Sequence, residues 1–415
     1  MLSKACLSLM PPPPNFNAKP FAYHQEITLQ VETLTNLGVG LGRVDGWVVM
    51  VPFALPGETV RVRIYRNHAN YSDGDLAGVL NPSPARRKAE CPLFGECGGC
   101  QYQHFAYEEQ LAWKQRQVRE VLARIGGLPD ADVRPTHPSP RQFHYRSKIT
   151  PHYNRPRRDG SFPIGFLRMG SRDAVVDVPQ CPIATEAINA ALPAVRNELL
   201  SRVDKIRRAG SILLRETREG VVTDPGNLVS AHIGDTQFQF HAGDFFQNNP
   251  YILPELVDYA LGEAKAEGIK YLLDVYCGVG VFAICGRQRF DRCLGVEVNP
   301  DAVRRAQQNA RLNKAENCDF IVGDATQIFA GEKIPAQQTA VLIDPPRAGC
   351  DEPFLRQLMA YGPARIVYVS CDPATQARDL KILVAGGYRL LHAQPFDLFP
   401  QTRHIENVAT LEKAR

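Results

Sequence analysis

The chain has 415 residues, of which 44% are hydrophobic and 22% charged, and its net charge is +4. This length predicts roughly two or three domains, and the apolar content excludes a mainly disordered chain. The small net charge does not by itself establish a nucleic-acid partner. No apolar run reaches the roughly 18 residues that a membrane helix needs, so we expect no membrane association. The N-terminal apolar run is too short for a signal peptide, which predicts a cytoplasmic protein.

The N-terminal part of the chain changes character at about residue 22. Residues 1–21 are rich in proline and aperiodic, which indicates a disordered tail. In residues 22–83, short runs with alternating apolar residues are separated by turns rich in glycine, a pattern typical of a small all-β unit. A five-stranded barrel of the OB type fits this length, and an SH3-like barrel fits nearly as well.

Cysteines are clustered near the start of the next segment, residues 84–242. The odd total of 11 cysteines argues against a disulfide framework. Cys91, Cys97 and Cys100 lie close together in the sequence, and Cys181 is a remote fourth candidate. Three clustered thiols with one distant thiol suit either zinc or a [4Fe–4S] cluster, and the spacing alone leaves both open.

A basic stretch with interleaved aromatic residues follows at 141–172. Its basic residues are Arg141, Arg146, Lys148, Arg155, Arg157, Arg158, Arg168 and Arg172. Cations meet phosphates, and aromatic faces stack on unpaired bases, so the stretch suits single-stranded or looped RNA. A solvated basic surface is the alternative interpretation.

From residue 243 to the C-terminus, buried apolar runs alternate with helical segments. This alternation predicts a doubly wound parallel sheet of the Rossmann type. The first strand runs into a turn containing Gly278 and Gly280, and Glu297 ends the second strand. A dinucleotide-binding fold produces the same features.

Acidic residues at further strand ends favour a different ligand. Asp324 closes the third strand and Asp344 closes the fourth. Singly each is explained as a helix cap or turn residue, but a row of acids suits a cationic ligand that carries adenine. S-adenosylmethionine is such a ligand, whereas a pyrophosphate would favour helix amides and basic side chains.

A candidate nucleophile and base lie near the C-terminus. Cys371 ends the fifth strand, just before a helix that begins near Pro373 with Asp372 as its N-cap. We expect the positive end of this helix to lower the pKa of the thiol. Glu406 and His404 lie in a stretch that can pair as a late strand at the edge of the sheet. A buried core cysteine and an exposed edge glutamate are the alternatives.

Five motifs together resemble the RNA uracil-C5 methyltransferase family, and they occur in that family's order. They are Phe245-Phe-Gln-Asn-Asn249, Asp274-Val-Tyr-Cys-Gly-Val-Gly280, Asp344-Pro-Pro-Arg347, Ser370-Cys-Asp-Pro373 and Pro400-Gln-Thr-Arg-His-Ile-Glu406. The β-rich segment is similar to that family's TRAM RNA-binding domain. The cysteine cluster is similar to that of its rRNA-modifying, iron–sulfur branch, which favours a [4Fe–4S] cluster in a central α+β domain.

The resemblance implies roles for individual residues. S-adenosylmethionine would be held by Gln247, Tyr276, Glu297, Asp324 and Asp344. Cys371 would be the nucleophile and Glu406 the base, with Arg347 orienting the substrate. Two positions depart from the common pattern, Val281 near the cofactor and Asp372 beside the nucleophile.

The implied activity is methylation of C5 of a uridine in 23S rRNA, through a covalent adduct of Cys371 at C6. The target must leave its stack, so an unpaired uridine is expected. A tRNA uridine is the alternative substrate. Methylation of an exocyclic amine needs no cysteine and is disfavoured. A non-catalytic iron–sulfur RNA-binding factor is the alternative of another class. No obligate protein partner is inferred.

Overall fold

The structure, a computed structural model, describes residues 11–157, 159–323 and 334–414. The chain divides into two compact units. The first runs to Gln110 and includes Gln401–Arg403, and the second comprises Leu111–Pro400 and His404–Arg415. The domain boundaries predicted at residues 83 and 242 stay predictions.

A closed five-stranded β-barrel forms the core of the first unit. Its strands are β1 (Glu26–Leu34), β2 (Val39–Val44), β3 (Trp47–Pro52), β4 (Thr59–Asn67) and β5 (Tyr71–Asn81), in the order β1-β2-β3-β5-β4. Alternate apolar side chains such as Leu29 and Val62 fill the interior. Gly42 is needed because a Cβ there would lie 2.1 Å from the carbonyl oxygen of Gln30 on β1. The predicted five-stranded barrel is confirmed.

Helices and strands alternate through much of the rest of the chain. The helices are α1 (Tyr107–Arg124), α2 (Glu186–Leu200), α3 (Leu253–Ala264), α4 (Val281–Cys285), α5 (Pro300–Leu312), α6 (Glu352–Tyr361) and α7 (Pro373–Ala385). None of these described helices combines the length and the apolar character needed to cross a membrane.

Small antiparallel sheets occupy the first half of the second unit. Their strands are β6 (Lys148–Ile149), β7 (His152–Tyr153), β8 (Ile164–Leu167), β9 (Val175–Asp177), β10 (Gly210–Ser211), β11 (Leu214–Thr217), β12 (Gly220–Val222), β13 (Leu228–Ile233) and β14 (Thr236–His241). They form sheets in the orders β10-β7-β8-β9 and β12-β11-β6, and the hairpin β13-β14. Their segment includes much of the basic stretch noted in the sequence.

A seven-stranded sheet dominates the second half of this unit. Its strands are β15 (Tyr271–Val275), β16 (Arg292–Glu297), β17 (Cys318–Val322), β18 (Thr339–Ile343), β19 (Arg365–Ser370), β20 (Tyr388–Phe396) and β21 (Glu406–Lys413). The order is β17-β16-β15-β18-β19-β21-β20, parallel from β17 to β19, with β21 antiparallel to both neighbours. The parallel α/β arrangement predicted from the sequence is confirmed for the five strands from β17 to β19, whereas β20 and β21 make the sheet mixed.

Both faces of this sheet are covered by helices, because successive strand residues point to opposite sides. Leu272 belongs to the apolar core that includes residues of α3, α4 and α5. Its neighbour Leu273 belongs to the core that includes residues of α1, α6 and α7. The two layers leave the carboxyl ends of the parallel strands available for a ligand.

Candidate active site

The candidate site lies where the parallel strands end and the antiparallel strand β21 begins. Strands β15, β16, β18 and β19 run in the same direction, so their carboxyl ends lie along one edge of the sheet. That edge carries Glu297, Asp344 and Cys371. Since β21 runs the other way, its first residue, Glu406, lies at the same edge.

Strand pairing brings the candidate nucleophile and base together. Ser370 of β19 pairs with Asn407 of β21. Extending this antiparallel register by one residue sets Cys371 opposite Glu406, where paired Cα atoms lie about 4.5–5.5 Å apart. Cys371 is partly buried, whereas Glu406 is only 1% exposed. Cys371 and Glu406 therefore lie at the end of the sheet where the parallel strands terminate, and the thiol is nearer to solvent than the carboxyl group.

The thiol of Cys371 does not have the lowered pKa that its position before a helix predicted. Burial, with the nearby carboxylates of Glu406 and Asp344, raises the pKa of the thiol to about 11, and Arg347 offsets only part of this. The α7 amides of Ala374 and Thr375 donate to Asp372 Oδ1 at 3.0 and 3.2 Å. The expected lowering was wrong, because burial and two nearby carboxylates favour the neutral thiol.

Asp372 caps α7, as its position in the sequence predicted. Its carboxylate is therefore engaged by the two backbone amides rather than facing the thiol alone. The departure from the usual residue at this position is compatible with a thiol nucleophile beside it.

The candidate base is a buried acid in a negatively charged setting. Burial and the neighbouring Asp344 raise the pKa of Glu406 well above its usual value, and Arg347 opposes the shift. Burial also raises the pKa of Asp344 to about 7. A bound cation would lower both pKa values, because it favours the charged forms of the two acids.

The loop that carries Asp344 and Arg347 is fixed to neighbouring elements. The amide of Asp344 donates to the carbonyl of Val275 at 3.4 Å. The hydroxyl of Thr375 donates to the carbonyl of Arg347 at 3.2 Å. The loop is thus tied both to the end of β15 and to the first turn of α7, the helix that follows the nucleophile.

The turn after β15 has the close backbone approach expected of a cofactor site. Gly278 and Gly280 have φ angles of +54° and +88°. The Gly278 amide donates to Glu297 Oε2 at 3.2 Å. Tyr276 also has a positive φ, +65°, which is uncommon for a residue with a side chain. The strained turn brings Tyr276 and Glu297 to the same end of the sheet.

Asp274 is a site residue that sequence reasoning did not single out. Its side chain is fully buried, and its Oδ2 accepts a hydrogen bond from the Ala283 amide at 2.9 Å. Its Oδ1 has no partner among the described residues. Burial raises the pKa of Asp274 to about 8, and Asp344 and Glu297 add to the rise. An acid four residues before Gly278 was the available signal, and its unpartnered buried oxygen suits a cationic ligand.

The remaining predicted cofactor residues are placed less completely. Gln247 is partly buried in the segment between β14 and α3. The neighbouring Asn249 is fully buried and donates to the carbonyl of Leu398 at 3.0 Å, which fixes this segment. Asp324 lies outside the described residues, as does Arg158 of the basic stretch. Their predicted roles stay predictions.

The structure does not assemble the predicted metal ligands into a site. Cys91, Cys97 and Cys100 lie in a turn-rich part of the first unit, where the Gly99 amide is 3.4 Å from Cys97 Sγ. Cys181 belongs to the second unit. Within the ranges that the structure describes, no group of three or more His, Cys, Asp or Glu side chains could hold a metal ion.

Comparison with known proteins gives consistent results along the chain. The sequence profile of the tRNA (uracil-5-)-methyltransferase family matches residues 227–414, and that of the TRAM domain matches residues 24–77. A Schizosaccharomyces pombe protein named tRNA (uracil(54)-C(5))-methyltransferase is 39% identical, over 95% of this chain and 79% of its own length. An RNA methyltransferase of uncharacterized function from Halalkalibacterium halodurans is 32% identical, over 93% and 96%.

A solved structure supports the fold. It is that of Pyrococcus abyssi tRNA (uracil-54, C5)-methyltransferase in complex with S-adenosyl-L-homocysteine. The similarity has a TM-score of 0.71 and covers 93% of this chain and all of that one, at 24% identity. The extent of the matches and the identity to the curated relatives establish that this chain belongs to the tRNA (uracil-5-)-methyltransferase family of RNA methyltransferases and carries a TRAM domain.

Proposed function

We propose that the protein methylates C5 of a uridine in RNA, with S-adenosylmethionine as the methyl donor. The observation that supports this best is the register of β19 and β21, which sets Cys371 opposite Glu406 beside Asp344 and Arg347. Methylation of an exocyclic amine needs no thiol. A thiol and a carboxyl group side by side are what covalent activation of a pyrimidine requires.

Cys371 and Glu406 have successive roles in the proposed reaction. C5 of uracil is a weak nucleophile, so the Cys371 thiolate first adds to C6, forming an S–C bond and moving electron density towards C5. S-adenosylmethionine, when bound, would supply an electrophilic methyl group to C5, and its S–CH3 bond would break to leave the neutral thioether. Glu406 then takes the C5 proton, and the electrons of that C–H bond re-form the C5–C6 double bond while the C6–S bond breaks. The thiolate leaves unchanged.

The raised pKa values fit a site that is activated by its ligands. Burial and crowded carboxylates raise the pKa values of Cys371, Glu406 and Asp344 in the ligand-free protein. A sulfonium cation beside Asp344 would lower all three, because each charged form gains an opposite charge nearby. Arg347 contributes a permanent positive charge to the same group. Asp274 is a further buried acid whose charged form a cationic donor would favour.

Two RNA classes are candidates for the substrate. The names of the S. pombe relative and of the P. abyssi structure support uracil 54 of tRNA. The resemblance of the cysteine cluster to the rRNA-modifying branch supports an unpaired uridine of 23S rRNA. The S. pombe relative is 39% identical and is named as a tRNA enzyme, so we propose tRNA as the first substrate to test and 23S rRNA as the second.

An iron–sulfur cluster is part of the proposal but not of the reaction. Its support is the spacing of Cys91, Cys97 and Cys100 and the Gly99 amide near Cys97 Sγ, since such amides stabilise cluster thiolates. Cys181 would be the fourth ligand. Transfer of a methyl group to uracil needs no change of oxidation state, so we assign the cluster no catalytic step.

Covalent trapping tests the proposed mechanism. Protein with Glu406→Gln, purified anaerobically, is incubated with S-adenosylmethionine and either unmodified tRNA or 23S rRNA transcripts, then run on a denaturing gel. Because the C5 proton can no longer be removed, the methylated adduct should remain attached, and a shifted band should appear with one RNA. The same variant with Cys371→Ala is the matched control and should give no shifted band.

The outcomes separate the alternatives. A band that requires Cys371 identifies the nucleophile, and the RNA in the band identifies the substrate class. If wild type methylates an RNA but the Glu406→Gln variant gives no adduct with it, the assigned roles of Cys371 and Glu406 are wrong. If wild type binds both RNAs and methylates neither, the non-catalytic RNA-binding factor becomes the better interpretation.

A further inference from the structure

A cleft in the second unit lies apart from the candidate site and has no role in the proposed chemistry. Its volume is about 510 Å³, within the roughly 300–1,000 Å³ typical of ligand sites. Its lining includes two cations, an aromatic ring and several hydroxyls, contributed by Lys148, Arg202, Tyr153, Thr150, Ser211 and Thr223. Glu198 also lines it and pairs with Arg202 at 2.7 Å. The size suits a single nucleotide.

Two positive charges lie opposite one another beside this cleft. Lys148 of β6 pairs in register with Arg215 of β11. Like charges at directly opposite positions of an antiparallel pair destabilise a sheet. Arg215 is 3% exposed, and its Nε has no partner among the described residues. Arg215 does not line the cleft, and its guanidinium lies 5.0 Å over the Phe240 ring, so Lys148 is the member of this pair that is open to an anion in the cleft.

The hydrogen bonds of these cations go to carbonyl groups. Lys148 Nζ donates to the carbonyls of Gly243 and Asp244 at 3.2 and 3.4 Å. Arg215 Nη2 donates to the same Asp244 carbonyl at 2.8 Å. Burial, Arg215 and Arg146 lower the pKa of Lys148 to about 8, and the Asp244 carboxylate offsets this only in part. Carbonyls do not neutralise the two cations, so the excess positive charge remains.

Lys148 and Arg215 contact the segment of chain that contains Gln247, a predicted cofactor residue. Asp244 begins the stretch that contains Phe245, which is 75% exposed, and Gln247. The amide and hydroxyl of Ser147, next to Lys148, both donate to the carbonyl of Asn248. Lys148 and Ser147 thus hold the two ends of the segment that carries Gln247. A ligand in the cleft would steady a segment that the sequence assigns to the cofactor.

We propose that this cleft binds one nucleotide of the RNA substrate, with its phosphate on Lys148 and Arg202. This inference rests on the proposed function, because RNA is the anion that such a site would meet. Lysine binds phosphate as a point charge, and the neighbouring hydroxyls can donate to phosphate oxygens. Tyr153 offers a ring on which the base of that nucleotide can stack.

The salt dependence of RNA binding tests the cleft without requiring methylation. Binding of a fluorescent oligouridylate is measured over a series of KCl concentrations for wild type, Lys148→Met and Arg202→Met. Each lost phosphate contact should reduce the slope of log K against log salt by about 0.7 and weaken binding at low salt. Lys381→Met, at an exposed position on α7, is the control and should leave the slope unchanged.

Each result either supports or overturns the proposal that the cleft binds RNA. Slopes equal to wild type in both cleft variants would overturn the inference, as would equal competition by polyglutamate and oligouridylate. Arg202 is exposed at the cleft rim, so its variant tests the cleft even if Lys148→Met disturbs the segment at 243–248. Reduced slopes in a protein that methylates neither tRNA nor rRNA would support the cleft while rejecting the proposed function.

Discussion

Cys371 combines the position of a nucleophile with the protonation state of a resting thiol. With a pKa of about 11, only about one molecule in 10⁴ carries the thiolate at neutral pH. Glu406 and Asp344 raise the pKa of this thiol, and Arg347 lowers it. We therefore expect the reactivity of the thiol to rise when RNA and S-adenosylmethionine are bound and to be low when they are absent.

The rate of alkylation of Cys371 measures the fraction of this thiol that is ionised. The rate of reaction with iodoacetamide, followed by peptide mass spectrometry, should rise about tenfold per pH unit between about pH 7 and about pH 9, because the thiolate fraction does so. Arg347→Met should slow it about two- to tenfold at a fixed pH by removing the stabilising cation. Arg356→Met, an exposed change on α6, is the control. A rate that levels off below about pH 8 would show a lowered pKa instead.

At the scale of elements, the loop carrying Asp344 and Arg347 is tied to α7 by a buried carboxylate. Asp379 Oδ2 accepts from the Cys350 amide at 2.8 Å and from the Tyr368 hydroxyl at 2.7 Å. Asp379 Oδ1 accepts from Arg378 Nε at 2.8 Å. One side chain thus joins the end of the loop, the strand before the nucleophile and the helix after it.

Removing this carboxylate should destabilise the protein markedly. Asp379→Ala leaves two buried donors without an acceptor, at about 1–3 kcal/mol each, so we expect a loss of about 3–5 kcal/mol in the free energy of unfolding. Tyr368→Phe removes one donor and leaves the acceptor engaged, and should cost about 1 kcal/mol. Urea unfolding measures both changes. Equal costs for the two variants would show that Asp379 does not organise the network.

How far the sequence predicts these elements depends on whether their causes are local. Strand β15 is a buried apolar run and α5 begins after the N-cap Asn299, and both are local signals that the sequence carries. His404 and Glu406 were expected in one strand at the edge of the sheet, but β21 begins at Glu406 and lies between β19 and β20. The pKa of Cys371 and the isolation of Asp274 depend on strands that are distant in sequence, so no local pattern could predict them.

At the scale of the whole molecule, the C-terminal segment before the base is held by residues from far along the chain. Lys114 of α1 donates to Asp397 Oδ1 at 2.5 Å, and both side chains are fully buried. The Tyr145 hydroxyl donates to the carbonyl of Pro400 at 2.9 Å. Together with Asn249 on Leu398, these contacts fix the path from β20 towards Glu406. The position of the base thus depends on packing across the second unit.

A double-mutant cycle on the buried ion pair tests this dependence. Lys114→Met should lower the free energy of unfolding by about 3–5 kcal/mol, because it leaves the Asp397 carboxylate buried without its cation. Asp397→Leu should lower the free energy of unfolding by a similar amount, because it leaves the Lys114 ammonium group buried without its anion. The double variant should recover most of the loss, since a buried pair replaced by apolar side chains leaves no uncompensated charge.

Urea unfolding followed by the fluorescence of Trp113, which precedes Lys114 in α1, measures the cycle. Arg116→Met on the same helix removes only an exposed pair with Glu120 and should change the free energy of unfolding by less than about 0.5 kcal/mol. If the two single changes add in the double variant, the pair is not coupled and the segment before Glu406 is held by other contacts. If the double variant is stable but slow in methylation, Lys114 positions the base rather than merely stabilising the fold.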